Sequence, residues 1–387
     1  KPTSGTLPGG VMSKGFSTEA VVIGAGPAGL GTALGLVREG IRVVVLEKQD
    51  RVGTNRRGET IRFNRDMDGL LGEGFLKRHT VRKIDRRTYF SHTGRNFVHR
   101  TISNPNLIID WPDFMQAMAE AVSRAGAQIW TSSAVQDFIR QDREVRGVLA
   151  MVSGFAQEEI ASRAVFSCGG HEDPASRFLR IDRSWVDLPI QKRIVQDYAG
   201  PDDRLQYHFH VAPDALSVGA IFPRGGGESE FMVMGMSRDG TARRIPFDDF
   251  RAAHPLFDNL LQGTKTTYSL STLIPMGGMI FPFTPRPGLV MAGDALGHVQ
   301  ARGGSGIRTS FLIGHAVGRL GALAIKSGEW TERTSQLFEK AILSSPEVRA
   351  LRVHNFIYSR LRSKLFEKIR TPEAMDRAWP FLRMALR

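Results

Sequence analysis

Apolar residues near the start of the chain form two short runs that flank a segment with helical spacing. Ala20–Ile23 is a continuous apolar run, which is typical of a strand buried on both faces of a parallel sheet. The segment after it extends to about Glu39 and ends at Gly40, a residue suited to a left-handed helix end. Ile41–Leu46 is a second apolar run. The pattern predicts a strand, a helix and a second parallel strand.

A second helix and a group of strands follow in the next hundred residues. Asp110-Trp-Pro-Asp-Phe predicts a helix start, because Pro112 suits the first turn, and the apolar spacing ends near Gly126. Four apolar or alternating runs then predict strands, the last of which returns to the core: Ala127–Trp130, Ala134–Ile139, Glu144–Val152 and Glu159–Ser167.

From about residue 188 to residue 272 the pattern changes to short alternating strands, which predict a mostly antiparallel sheet. These strands are Gln206–Val211, Leu216–Phe222, Glu230–Met236 and Thr266–Leu273. Beyond Thr331 the chain is predicted to be helical. One apolar stripe there is formed by Val353, Phe356, Ile357, Leu361, Leu365 and Ile369.

The first strand leads into a G-x-G-x-x-G sequence formed by Gly24, Gly26 and Gly29. The first glycine permits a tight turn, the second lets a pyrophosphate approach the helix N-terminus, and the third lets helix and strand pack closely. Glu47 follows the second strand, about 20 residues beyond the glycines, where an acid accepts the hydroxyls of an adenosine ribose. Strand, helix, second strand and acid together predict a dinucleotide site.

A second glycine-rich stretch lies between residues 288 and 314. A predicted strand, Leu289–Ala292, ends at Gly293-Asp294, and Gly303–Gly306 precedes a predicted helix that runs to about Leu323. An acid at a strand end can bind polyol hydroxyls, and free N–H groups at a helix start can stabilise negative charge. These are the needs of the ribityl chain and the reduced ring of FAD.

In this order, the two motifs resemble those of the geranylgeranyl reductase-like flavoproteins, within the p-hydroxybenzoate hydroxylase-type class that includes flavin-dependent monooxygenases and halogenases. The resemblance covers about residues 18–325. It implies that Asp294 binds the ribityl chain and that the backbone of Gly303–Ile307 faces the pyrimidine edge of the flavin. The full set of predicted cofactor-binding residues is Gly24, Gly26, Pro27, Ala28, Gly29, Glu47, Lys48, Arg56, Arg57, Val135, Gly293, Asp294, Gly303, Gly304, Gly306 and Ile307.

The resemblance also implies an α/β fold with a discontinuous Rossmann-like FAD-binding domain and an inserted substrate domain. We expect the FAD-binding domain to comprise residues 18–90, 100–170 and 280–330. Residues 171–279 are expected to form the mostly antiparallel sheet that covers the flavin, and residues 331–387 a C-terminal helical segment.

The expected activity is that of an FAD-dependent oxidoreductase that uses NAD(P)H or another reduced donor. Reduction of C=C bonds in an isoprenoid-like compound is the first hypothesis, and flavin-dependent monooxygenation is the main alternative. Val218 and Ala220 stand where the reductases carry Tyr and Trp, and Cys168-Gly-Gly replaces the Asp-Gly of the hydroxylases. Halogenation and electron transfer to a quinone or a partner protein are further alternatives, and no catalytic side chain is assigned.

Composition narrows the possible partners of the chain. Its 387 residues are 41% hydrophobic and carry a net charge of +13, with 13 Lys/Arg against 5 Asp/Glu in residues 51–100. Binding of FAD, of an acidic substrate or of an anionic membrane could account for the excess of basic residues in this segment. We expect a small apolar substrate and no nucleic acid, since no recognition motif is present.

Other features of the sequence concern metals and location. Cys168 is the single cysteine, and the neighbouring residues of His171-Glu172-Asp173 point in different directions, so we expect no metal site. The first 19 residues have no signal-peptide core, and no apolar run could span a bilayer. The expected location is cytoplasmic, with peripheral membrane contact through the basic apolar helix near residue 356 as a hypothesis.

Overall fold

A computed structural model describes residues 16–54, 60–237 and 242–386. The strands of this part of the chain are β1 Phe16–Ser17, β2 Ala20–Ile23, β3 Val43–Leu46, β4 Thr60–Arg62, β5 Arg82–Ile84, β6 Arg86–Phe90, β7 Asn96–Arg100, β8 Asn106–Ile108, β9 Gln128–Trp130, β10 Ala134–Gln141, β11 Glu144–Val152, β12 Ala156–Ala161, β13 Ala164–Ser167, β14 Asp187–Gln196, β15 Arg204–Val211, β16 Ala215–Gly225, β17 Glu228–Ser237, β18 Ala242–Arg243, β19 Lys265–Pro275 and β20 Leu289–Met291.

The α-helices of the same residues are α1 Pro27–Arg38, α2 Arg65–Leu71, α3 Phe75–Arg78, α4 Trp111–Arg124, α5 Pro174–Phe178, α6 Phe247–Ala253, α7 Pro255–Asn259, α8 Ile307–Lys326, α9 Glu332–Leu343, α10 Pro346–Lys368 and α11 Pro372–Ala385.

A parallel five-stranded sheet forms the centre of the molecule, in the order β20-β13-β2-β3-β9. Every residue of β2, β3, β13 and β20 is buried, as expected for strands covered on both faces. The predicted strand, helix and second parallel strand are therefore confirmed. Glu159–Ser167 does not form one strand, however. Its first residues belong to β12 in a separate four-stranded sheet, β1-β12-β11-β10, and only β13 joins the central sheet.

The predicted antiparallel sheet is larger than expected. It is eight-stranded, with the main order β19-β14-β17-β16-β15-β6-β7 and with β18 paired to β17. Its pairs are antiparallel except β15 with β6, which is parallel. Strands β6 and β7 come from residues 86–100, far from the 187–275 segment that supplies the other strands. A small sheet, β4-β8-β5, is formed by strands that precede and follow residues 86–100 in sequence.

The C-terminal segment is helical, as predicted, but its apolar stripe is divided between two environments. Val353, Phe356 and Ile357 of α10 are 60%, 58% and 53% exposed, whereas Ile369 is 1% exposed and packs with residues of α11. The side chain of Leu365 lies outside the described residues. Across the described part of the chain, no helix combines the length and apolarity needed to cross a membrane.

Helices α1 and α8 approach each other so closely that glycine is needed on both. A methyl group at Gly31 would lie 2.2 Å from the carbonyl oxygen of Phe311, and one at Gly314 would lie 2.2 Å from that of Ala28. One turn further along, a methyl group at Gly318 would lie 2.1 Å from the carbonyl oxygen of Thr32. Any larger residue at these positions must push the helices apart.

We expect Gly314→Ala to lower the free energy of unfolding by about 1–3 kcal/mol or more, because the added methyl group overlaps backbone rather than a mobile side chain. The thermal unfolding midpoint measures this loss. Gly69→Ala is the matched control, since Gly69 is exposed in α2 and its added methyl group meets no described atom within 4 Å. It should leave the midpoint unchanged or raise it slightly. Equal midpoints for both variants would contradict the role of the glycine contact.

Candidate cofactor and substrate site

The turn between β2 and α1 has the geometry that the glycine pattern predicts. Gly24 has φ +89°, and a methyl group on it would lie 2.8 Å from the Cys168 carbonyl oxygen. A methyl group on Gly29 would lie 1.8 Å from the Gly24 carbonyl oxygen, so the third glycine permits close helix–strand packing. Gly26 differs, because a methyl group there would have no described atom within 4 Å. The open space at Gly26 lies at the N-terminus of α1, where backbone N–H groups and the helix dipole favour an anion.

Glu47 lies directly after β3 and is held against this turn. Its Oε2 accepts the Ala25 N–H at 2.8 Å, and its Oε1 accepts the Gln49 N–H at 3.0 Å. Each carboxylate oxygen keeps a further lone pair that can accept a hydroxyl. The acid is therefore both oriented by the loop and able to accept hydrogen bonds from a ribose.

The second motif surrounds the N-terminus of α8. Gly293 has φ +73°, and its N–H donates to Nδ1 of buried His298 at 3.0 Å. Burial lowers the pKa of His298 to about 3, so the ring stays neutral and Nδ1 remains an acceptor. Arg183 donates from Nη2 to the Asp294 carbonyl at 2.9 Å, which fixes the backbone that carries this acid.

Both motifs face one cavity of about 1250 Å³. Of the residues assigned to the cofactor from the sequence, those that line it are Gly24, Gly26, Pro27, Ala28, Glu47, Lys48, Val135, Asp294, Gly303, Gly304, Gly306 and Ile307. Gly29 and Gly293 do not line it and instead support the turns behind its wall. Arg56 and Arg57 lie outside the described residues.

The cavity continues into a chamber with mostly apolar walls, which the sequence motifs did not reveal. Strands β15, β16, β17 and β19 and helices α10 and α11 supply this part. Its apolar lining includes Phe209, Leu216, Phe222, Met232, Met234, Ile274, Leu361, Met375 and Leu382. Alternation along the strands placed such residues on one face, but which face would meet the cofactor depends on the packing of distant segments.

Cationic and phenolic groups interrupt this apolar lining. Arg62, Arg87 and Arg302 line the cavity together with Tyr89 and Tyr207. Burial lowers the pKa of the Arg62 guanidinium, and the charges of Arg87 and Arg302 lower it further. Burial raises the pKa of Tyr207 to about 12, so its hydroxyl stays protonated at neutral pH. The sequence indicated only a general excess of basic residues between 51 and 100, without singling out these arginines.

Within His171-Glu172-Asp173, the aspartate has a structural role, whereas His171 and Glu172 line the cavity. Asp173 is fully buried and caps α5, where its Oδ1 accepts the Ala175 N–H at 2.9 Å. Ser167 Oγ also donates to this carboxylate. Burial raises the pKa of Asp173, and these hydrogen bonds oppose that effect. Over the residues that the structure describes, no group of three His, Cys, Asp or Glu side chains is arranged to hold a metal ion.

The residues that are present fit FAD. The open space at Gly26, the N-termini of α1 and α8, and the acids after β3 and β20 all border the same cavity. A pyrophosphate, a ribose, a ribityl chain and an electron-rich ring edge each find a suitable group there.

The family model described as "FAD binding domain" matches residues 17–326. Digeranylgeranylglycerophospholipid reductase 1 of Methanosphaera stadtmanae is 26% identical over 345 residues, which cover 84% of this chain and 80% of that relative. A solved geranylgeranyl bacteriochlorophyll reductase-like protein of Thermoplasma acidophilum superposes with a TM-score of 0.79 at 16% identity, covering 94% of this chain and 90% of the other. The solved myxobacterial chondrochloren halogenase superposes with a TM-score of 0.67 at 13% identity, covering 96% of this chain and 90% of the other. These findings confirm the predicted fold, the resemblance of the chain to geranylgeranyl reductase-like flavoproteins, and FAD as the cofactor.

We expect Gly26→Ala to weaken FAD binding by at least about tenfold, because the added methyl group takes the space where backbone must meet the pyrophosphate. The flavin absorbance of the dialysed protein measures FAD retention, and titration of the FAD-free protein with FAD measures the affinity. The thermal midpoint of the FAD-free variant should not change, since the methyl group meets no described protein atom. Unchanged FAD retention would place the pyrophosphate elsewhere.

Proposed function

This chain belongs to the FAD binding domain family and is an FAD-dependent oxidoreductase, and we propose that it reduces carbon–carbon double bonds of an isoprenoid-like substrate. The observation that carries the proposal is the continuity of one cavity, which runs from the two cofactor motifs into a chamber lined by Met, Leu, Ile and Phe side chains. An alkene chain lying there would be close to the cofactor and shielded from water. The relative named as a digeranylgeranylglycerophospholipid reductase, matched over most of both chains, supports this reaction.

We assign the cofactor contacts to the residues that border the first half of the cavity. Gly26 and the N-terminus of α1 would hold the pyrophosphate, Glu47 the ribose and Asp294 the ribityl chain. The backbone of Gly303, Gly304, Gly306 and Ile307 would face the pyrimidine edge. In this proposal residues 18–90, 100–170 and 280–330 hold FAD, except that β6 and β7 join the sheet of residues 171–279 that covers it, and residues 331–387 close the chamber.

The residues assigned above would hold FAD, which in its reduced form would supply the hydride for one alkene carbon; the other carbon would take a proton, so that two electrons and two hydrogens saturate the bond. The protein orients the chain and excludes water. The side chains of Leu216, Met232 and Met234 offer an adaptable apolar surface for this.

Anaerobic single turnover tests the proposed reaction. The FAD-loaded protein, reduced with dithionite, should reoxidise when mixed with geranylgeraniol, and mass spectrometry should show two added hydrogens for each reduced bond. The FAD-poor variant Gly26→Ala should form little product. Addition of an oxygen atom in air, with no anaerobic product, would favour monooxygenation. Reoxidation by a quinone but not by the alkene would favour electron transfer.

We also propose that the outer faces of α10 and α11 contact a membrane surface. Val353, Phe356 and Ile357 are exposed on one face of α10, and Phe381 and Met384 are exposed on α11. The same two helices line the apolar chamber through Leu361 and Leu382, among other residues. Exposed cations accompany these apolar residues, namely Arg349, Arg352, Arg360, Lys364, Lys368, Arg377 and Arg383. Apolar burial combined with attraction to anionic lipid is how a helix of this kind binds an interface.

Flotation with vesicles tests this contact. The protein should float with phosphatidylglycerol-containing vesicles more than with phosphatidylcholine vesicles, and added salt should weaken the binding. The double variant Phe356→Ser, Ile357→Ser should reduce flotation several-fold. Leu337→Ser is the matched control, because Leu337 is 61% exposed on α9, away from these two helices in sequence. Equal loss of flotation in both variants would argue against a specific surface.

A further inference from the structure

Arg62 is a half-buried cation for which the structure supplies no counter-ion. It lines the chamber from β4, and its side chain makes no hydrogen bond or ion pair with any other described residue. The groups that act on its charge are the cations Arg87 and Arg302 and the phenols Tyr207 and Tyr89. An unpaired guanidinium in such surroundings is costly, which indicates that something absent from the protein itself completes the site.

The other two arginines are oriented but keep donors free. Arg87 donates from Nη2 to Asn106 Oδ1, yet its buried Nε has no acceptor among the described residues. Arg302 donates from Nη1 to Tyr358 Oη at 3.0 Å and from Nη2 to the Leu386 carbonyl. A guanidinium has five N–H donors, so both side chains are fixed in position and can still bind another acceptor.

Four acids line the cavity, of which Asp294 is the one proposed to bind the ribityl chain, and the other three are engaged elsewhere. Glu230 lies 3.4 Å from the buried Lys192 ammonium, Glu172 pairs with Lys48, and Glu47 accepts two backbone N–H groups. None of these carboxylates is among the groups that act on Arg62. Three positive charges from separate parts of the sequence therefore line one chamber, and no acid among the described residues forms an ion pair with them.

We propose that Arg62, Arg87 and Arg302 bind an oxyanion at one end of the substrate, a carboxylate or a phosphate ester, inside the chamber. The stacked rings of Tyr89 and Tyr207, with centroids 5.0 Å apart, form the adjoining wall, and the Met and Leu side chains take the apolar chain. Guanidinium groups suit this task because their planar N–H donors match an oxyanion in pairs. The substrate is thus an amphiphile with its charged end enclosed. This inference rests on the proposed function only in taking the chamber as the substrate site.

Binding of three ligands with the same tail tests the inference in the FAD-loaded protein. Oleate, oleyl phosphate and oleyl alcohol are titrated below their micelle-forming concentrations, with tryptophan fluorescence as the signal. Either anion should bind at least about tenfold more tightly than the alcohol, and their order identifies the carboxylate or the phosphate. Arg62→Ala should weaken anion binding by about ten- to a hundredfold, the loss of a hydrogen bond to a charged group, and should not change alcohol binding.

Two further variants separate recognition from structure. Arg62→Lys should recover part of the anion affinity, because it restores the charge without the planar donors. Arg333→Ala, at an exposed position of α9, should bind all three ligands like the unaltered chain. The thermal midpoint of ligand-free Arg62→Ala should stay level or rise, since the substitution removes a charge from a group of like charges.

Three results would overturn the inference. The first is equal affinity of the unaltered chain for oleate and oleyl alcohol. The second is an equal loss of affinity for both ligands in Arg62→Ala. The third is loss of FAD from that variant, which would assign the arginines to the cofactor. Alkene reduction is a separate readout. If anions bind as expected but no alkene is reduced, the proposed function fails while the oxyanion site stands.

Discussion

The close contact of α1 and α8 sets the position of everything that borders the cofactor cavity. Each helix begins at one of the two glycine-rich motifs, and glycines on both sides let backbone meet backbone along two turns. Interiors packed at this density do not deform gradually, so the distance between the two motifs is fixed by the helix crossing and not by the loops themselves. The cavity therefore has a rigid first half, which is what a tightly held cofactor requires.

The apolar chamber, the second half of the cavity, is held in place by different contacts. It is assembled from one face of the large sheet and from helices near the end of the chain, and Arg302 joins them by bonding Tyr358 of α10 and the Leu386 carbonyl beyond α11. Because Arg302 immediately precedes Gly303, one short stretch contacts both the region assigned to the flavin and the helices that close the chamber. The helices that close the chamber are thus held in place by a residue adjacent to the cofactor motif.

The sequence predicts the cofactor half well because its chemistry is local. The turn at Gly24, the packing at Gly29 and the acid at Glu47 all lie within one strand–helix–strand unit, and each leaves a residue-type signature. Gly314 is visible in the sequence only as the end of a glycine-rich motif, and Gly318 lies outside that motif, since both are required by a helix about 280 residues away. The sequence predicts one strand over Glu159–Ser167, because hydrophobic pattern alone does not show that β12 and β13 enter different sheets. The sequence does not reveal the cluster of Arg62, Arg87 and Arg302, because these residues come together only after three separate elements have folded.

The strand pair β6 and β7 has a consequence for how this architecture can change during evolution. The chain enters the large sheet at residues 86–100, leaves it, and returns at residue 187, so that sheet is encoded in two separate stretches. The 187–275 stretch moved alone into a chain that lacks these two strands would leave β15 without its parallel neighbour and expose an unpaired edge, and in a relative it would have to match a β6 that evolved with another sheet. New substrate preferences in such a protein therefore arise more readily by point substitution on existing walls than by recombination of a ready-made module.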